Sequence, residues 1–174
     1  MATPQTSLSD YLRTSFHPDC DFVDGEVQER NLGEFDHAAV QGLLTIWFGQ
    51  HRQEWELHVL PEIRIRVSAN RVRIADVCLI LRGQPIEQVL THPPLAVIEI
   101  LSPEDRISRY NDRLTDYRRM GIHNVWVIDP ATRVGYDCST TAWLPVEEFH
   151  ISGTPIFLPL GDFWRELEAD QSAR

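Results

Sequence analysis

The stretch "PPLAVIEILSPEDR", residues 93–106, constrains the fold more than any other part of the chain. Leu95, Ala96, Val97, Ile98, Ile100 and Leu101 are apolar on both parities. A strand built from them has no face to offer to water, which predicts a central strand covered on both sides. One carboxylate, Glu99, stands in the middle of this run. A buried charge without a partner is costly, so such a group is normally neutralised, paired or bound to a metal.

The sequence around this strand predicts an α/β arrangement. "DFVDGEVQER" reads as a hairpin around Asp24-Gly25, a favoured two-residue turn. Ala39, Leu43, Ile46 and Trp47 recur at helical spacing and predict a helix over residues 35–52. "WELHVLPEIRIRV" and "RVRIADVCLIL" alternate and flank the turn "SANR", giving a second hairpin with Glu62, Arg64 and Arg66 on the face opposite Ile63, Ile65 and Val67. After the central strand, Ser102 is a natural N-cap, with Pro103 at the first helical position and Asp105 three residues past the cap. Ile107, Tyr110, Leu114 and Tyr117 mark the buried face of that helix. Gly121 ends it, and "NVWVIDP" is a further strand. The last forty residues read as a hairpin, a loop and a short helix near "LGDFWRELEAD". The sum is a mixed central β-sheet flanked by helices, with short ragged ends and no linker dividing the chain.

Composition narrows the class. The chain has 174 residues and a formal net charge of −10, which argues against coating nucleic acid by bulk attraction but leaves room for a local basic groove. All 16 basic residues are arginine; there is no lysine. Cys20, Cys78 and Cys138 lie far apart without a CxxC spacing, so free thiols are expected rather than a zinc site or a disulfide framework. No window approaches the roughly 20 apolar residues that span a bilayer, and the N-terminus lacks a hydrophobic signal core, so a cytoplasmic protein with no membrane partner is expected.

Asp76 interrupts "RIADVCLIL" as Glu99 interrupts its own strand, and its parity with Ile74 and Cys78 points it inward. Two carboxylates meeting in a sheet repel and raise each other's pKa unless a cation joins them. Mg²⁺ or Mn²⁺ suits two carboxylates with waters. The alternative is that an arginine ties down each acid. Glu62 on the neighbouring strand either joins the metal shell or pairs with Arg64. Arg106, Arg109 and Arg113, at intervals of three and four, stripe one face of the helix, either lining a nucleic-acid groove beside Glu99 or forming a solvated face.

The series Asp76, then "PPLAVIEILSPEDR", then "DRLTDYRRMGIHNVWVIDP" resembles the Uma family of restriction endonucleases, within the PD-(D/E)xK nuclease group. The pattern is followed over residues 61–130, and "DFVDGEV" with "GEFDHAAV" extends it to about residue 22. The resemblance implies a restriction-endonuclease-like core in a single domain over 1–174, core about 22–165. It implies a divalent metal (Mg²⁺ or Mn²⁺) on Asp76 and Glu99, hydrolysis of phosphodiester bonds in DNA or RNA, and a homodimer. Glu34 and His37 occupy the region where this group often carries an extra acid or polar residue; a helix-start cap is the other reading of His37. The sequence departs from the pattern in two places. Ala75 stands for the proline before the aspartate, and the third position of E-x-K is Leu101. The family's lysine four residues before a tyrosine corresponds to Arg113, before Tyr117. Arginine binds phosphate bidentately but does not serve as a general base. The departures therefore leave a second expectation, a catalytically inactive nuclease-fold domain that binds DNA or a protein partner. A metal hydrolase acting on a small phosphorylated molecule is a third.

Overall fold

The computed structural model describes residues 6–30, 34–102 and 107–172. The elements run α1 (Leu8–Arg13), β1 (Asp21–Val23), β2 (Glu26–Gln28), α2 (Phe35–His51), β3 (Leu57–Ser68), β4 (Arg71–Leu81), β5 (Ala96–Ile100), α3 (Ile107–Met120), β6 (Asn124–Asp129), β7 (Val134–Asp137), β8 (Leu144–Val146), β9 (Glu148–His150), β10 (Phe157–Pro159) and α4 (Leu160–Ser172). The main sheet is ordered β2-β1-β4-β5-β6-β7-β8, with β3 also paired to β4. One edge of β4 carries β3; the other carries β1 at Arg71 and Val72, then β5 at Val77–Leu79. β5 and β6 are parallel, and every other pair of named strands is antiparallel. A parallel pair needs a crossover, and α3 supplies it.

Every residue of β5 is buried, because the sheet is covered on both sides. On the side of α2 and α4, Ile98 and Ile100 pack with Val40, Leu44, Phe48, Trp126 and Phe163. On the α3 side, Val97 packs with Leu114, Tyr117, Val125 and Val127. The expected turn at Asp24-Gly25 is present, with φ of 50° and 95° at the two residues, a backbone that suits a tight hairpin.

The strand β3 departs from simple alternation. Leu57 and Val59 pack into the core beside α2, whereas Ile63, Ile65 and Val67, of the same parity, pack on the α3 side. The reversal falls at Glu62, whose φ of 54° is left-handed and costs a β-type residue its regular pleat. The ends are less ragged than expected. Tyr11 of α1 is fully buried against Phe22 and Val72, and its hydroxyl donates to the Cys20 carbonyl at 2.6 Å. Phe163 and Leu167 of α4 are buried as well. Sequence periodicity missed α1 because six residues give less than two turns of pattern. The expected cap at Pro103 and Asp105 lies outside the described residues, and the description of α3 begins at Ile107. Among the described residues no helix is long and apolar enough to cross a membrane. The three cysteines are free and buried.

Candidate functional site

Three strands bring three acids to one level of the sheet. Val77 pairs with Ile98, so the next position in that register sets Asp76 opposite Glu99. Pro61 pairs with Val77 and Ile63 with Ala75, which sets Glu62 opposite Asp76. Asp76 and Glu99 are 1% and 0% exposed, as inward-facing residues of covered strands.

Arginine meets both buried acids. Arg113 of α3 is 7% exposed and donates from Nη1 to Glu99 Oε2 at 2.7 Å and from Nη2 to Asp21 Oδ2 at 3.1 Å. Tyr117, one helical turn on, donates its hydroxyl to Glu99 Oε1 at 2.6 Å. Arg30, following β2, donates to the carboxylates of both Asp76 and Glu62. Asp76 Oδ2 accepts the Ile100 amide at 2.7 Å and lies 3.4 Å from His37 Nε2. Gln41 of α2 donates to Glu62 Oε1 at 2.7 Å and to the Asp76 carbonyl at 2.9 Å.

These surroundings push the two acids apart. Burial alone would raise the Asp76 carboxyl, but the His37 hydrogen bond and the charge of Arg30 outweigh it and bring it to about 2. Complete burial holds the Glu99 carboxyl above its ordinary range; Arg113 opposes this, while Asp76 adds to it. Burial disfavours protonated His37, yet the hydrogen bond and charge of Asp76 prevail and its pKa is raised. Two neighbouring carboxylates driven in opposite directions is the pattern by which sites divide acid and base duties.

The structure thus brings together Asp76, Glu99, Arg113, Glu62 and His37. Glu62 pairs with Arg30, while Arg64 is taken by Asp19. His37 faces Asp76 instead of capping α2. Glu34 holds the N-cap position of α2 without a side-chain cap bond and lines a cavity of about 200 Å³ that shares His37 and Ser102 with the acid centre. Arg109 is exposed and Arg113 buried, so they do not form a uniform solvent stripe; Arg106 lies outside the described residues. A smaller polar cavity, about 20 Å³, is lined by Arg30, His37, Asp76, Ser102, Arg109 and Arg113.

Asp21 and Arg30 escaped sequence reasoning. Asp21 is buried and holds both Arg113 and Arg73, and those arginines keep its carboxyl below the ordinary range, and so ionised, against the effect of burial. A signal existed in "CDFVDG", where a carboxylate adjoins an apolar strand as Glu99 does. Nothing local marks Arg30, which reaches the site only through the fold.

The donor chemistry fits a hard divalent cation. Mg²⁺ is commonly held by one or two carboxylates with substrate phosphates completing the shell, and Asp76 with Glu99 provides the two. The Arg30 guanidinium joining Asp76 to Glu62 puts a stand-in positive charge at that place. Among the described residues no three metal-ligating side chains converge on a point, so the protein alone offers a partial shell.

The fold is thus a mostly antiparallel sheet flanked by helices, with one helix-bridged parallel pair and with opposed acids on adjacent inner strands. A crystal structure described as a "putative nuclease belonging to DUF820", from Anabaena variabilis, shares the fold with a TM-score of 0.75. Its sequence is 16% identical, and the match covers 92% of this chain and 98% of that one. The chain belongs to the Uma2 family, described as "Putative restriction endonuclease", whose profile matches residues 8–134. No curated protein matches it.

Proposed function

We propose that this protein is a divalent-metal-dependent endonuclease hydrolysing phosphodiester bonds in DNA, with RNA as the second substrate class. The reading is carried by the opposition of Asp76 and Glu99 on buried strands with Arg113 bonded to Glu99. Asp76 and Glu99 would hold Mg²⁺ or Mn²⁺, assisted by Glu62. When bound, such an ion lowers the pKa of a water ligand and neutralises charge on the phosphate. Arg113 stabilises negative charge on a phosphoryl oxygen, a bidentate role that guanidinium fills without releasing a proton. Tyr117 and Asp21 hold Glu99 and Arg113 in place. His37 and Glu34 flank the centre, and Arg106 and Arg109 meet the backbone of the substrate. A homodimer would carry two such centres, one for each strand of a duplex.

A second reading has its own support. All four oxygens of Asp76 and Glu99 face donors of the protein, and the chain has no lysine. A nuclease fold that binds DNA or a protein partner without cutting accounts for both. Incubation with supercoiled plasmid and single-stranded DNA, with Mg²⁺ or Mn²⁺, separates the readings. Nicking that is lost in EDTA and in Glu99→Gln is expected. Intact DNA with wild-type protein, alongside Glu99-dependent metal binding, would refute the catalytic reading in favour of the silent one.

A further inference from the structure

Arg30 occupies two regions at once. Its side chain is 12% exposed, its guanidinium is shared between Glu62 and Asp76, and the residue lines the 20 Å³ polar cavity with Arg109 and Arg113. Asp76 Oδ2 is engaged by the Ile100 amide and His37, so Oδ1, held by Arg30, is the oxygen from which a cation is most directly excluded. Gln41 bonds Glu62 and the Asp76 backbone together, so the acids cannot simply separate to admit an ion beside Arg30. Arginine stays protonated, and only another anion can draw it away without leaving a bare buried charge.

The cavity offers the place for that anion. The Arg113 Nε is buried with no hydrogen-bond partner among the described residues, although Nη1 and Nη2 of the same guanidinium are engaged. An unsatisfied buried N–H is costly and marks a position where an acceptor is missing. Arg109, on the same cavity, is exposed and forms no ion pair among the described residues. Ser102 adds a hydroxyl. The polar space next to Asp76 is lined by Arg30, Arg109, Arg113 and Ser102, and guanidinium and hydroxyl groups suit the oxygens of a phosphate group.

We infer that Arg30, Arg109 and Arg113 form a phosphate subsite beside the acid centre, and that Arg30 serves it by leaving Asp76 and Glu62, so that phosphate and divalent cation bind cooperatively. This rests on the nuclease reading for the source of the phosphate, a nucleic-acid backbone. Without that anion Arg30 fills the cation position; with it, Arg30 turns to the phosphate and the Asp76 oxygen is released to the metal. Reciprocity follows: DNA tightens metal binding by the same factor by which metal tightens DNA binding.

The test titrates Mn²⁺ into full-length protein, counting free ion by electron paramagnetic resonance. Titrations are run alone, with inorganic phosphate, and with a cleavage-resistant phosphorothioate duplex. Wild-type protein should bind Mn²⁺ at least about tenfold more tightly with the duplex present, within the usual range of coupling between sites. Arg30→Gln should gain about that factor without any anion, and the duplex should then add little. Arg109→Gln, an exposed change that spares folding, should weaken duplex binding and leave the affinity for Mn²⁺ alone unchanged. A response to inorganic phosphate as well as duplex supports the subsite and widens its ligand to free phosphate; a response to duplex alone supports it as a backbone site. Equal Mn²⁺ affinity in wild type and Arg30→Gln, or coupling that persists in Arg30→Gln, overturns the inference. If Arg30→Gln behaves as expected but no protein cuts DNA, the catalytic reading fails and this one stands.

Discussion

Replacing Arg73 by methionine tests whether the ion network behind the acid centre holds the fold together. Arg73 is 1% exposed and bonds three aspartates: Nε to Asp116 at 2.8 Å, Nη1 to Asp21 at 3.1 Å and Nη2 to Asp112 at 2.6 Å. Methionine keeps most of the stem and removes the charge. Asp112 is half-exposed and water can take over there. Asp21 keeps Arg113 and the Ile74 amide, and Asp116 keeps Arg71, so neither is wholly abandoned. Removing one partner of a buried pair costs about 3–5 kcal/mol, and the retained partners favour the lower end, about 3 kcal/mol. For a chain of this size that lowers Tm by roughly 6–12 °C. Urea denaturation followed by tryptophan fluorescence gives the free energy directly. The pH profile adds a signature. Asp21 has its carboxyl lowered in the folded state, so its stabilising contribution is present above the unfolded carboxylate range and fades as pH falls through the folded value. The Arg73→Met penalty should therefore shrink below about pH 4. Arg165→Ala, which breaks an exposed pair with Asp162, is the control and should cost under about 0.5 kcal/mol. A penalty for Arg73→Met no larger than the control's, or one independent of pH, would refute the reasoning.

Glu99→Gln should become more stable relative to wild type as pH rises from about 4.5 toward 7, because the Glu99 carboxyl, raised by burial, is protonated in the folded state at pH values where the unfolded chain has ionised; urea midpoints at pH 5 and pH 8 measure it, and a difference of the opposite sign counts against it. The thiols of Cys20, Cys78 and Cys138 are buried and burial raises each pKa, so a chromogenic disulfide should leave the native protein unlabelled and react fully in denaturant; rapid native labelling would contradict this.

Much of the fold was legible because its strongest signals are local. The Asp24-Gly25 turn, the unbroken apolar run of β5 and the helical spacing in α2 each carry their own physics within a few residues. The pairing of Glu99 with Arg113 was accessible from helix spacing and family resemblance together. The reversal in β3 was not. Leu57 and Val59 have the same parity as Ile63, Ile65 and Val67, and nothing in "LPEIRI" announces that a glutamate between the two groups adopts a left-handed backbone and sends them to opposite sides. Arg30, and the choice by Glu62 of Arg30 over Arg64, depend on tertiary approach across 32 residues of chain, which no local pattern encodes.

The reversal at Glu62 ties the two halves of the protein together during folding. Because β3 changes sides midway, one hairpin contributes Leu57 and Val59 to the interior beneath α2 and Ile63, Ile65 and Val67 to the interior beneath α3. The packing of both interiors thus shares that one hairpin. Amides of β4 and β5 should therefore exchange with solvent as one cooperative unit, with no separate slow-exchanging half on either side of the sheet. The acid centre lies at the crossing point, so its geometry is completed only when both interiors have closed.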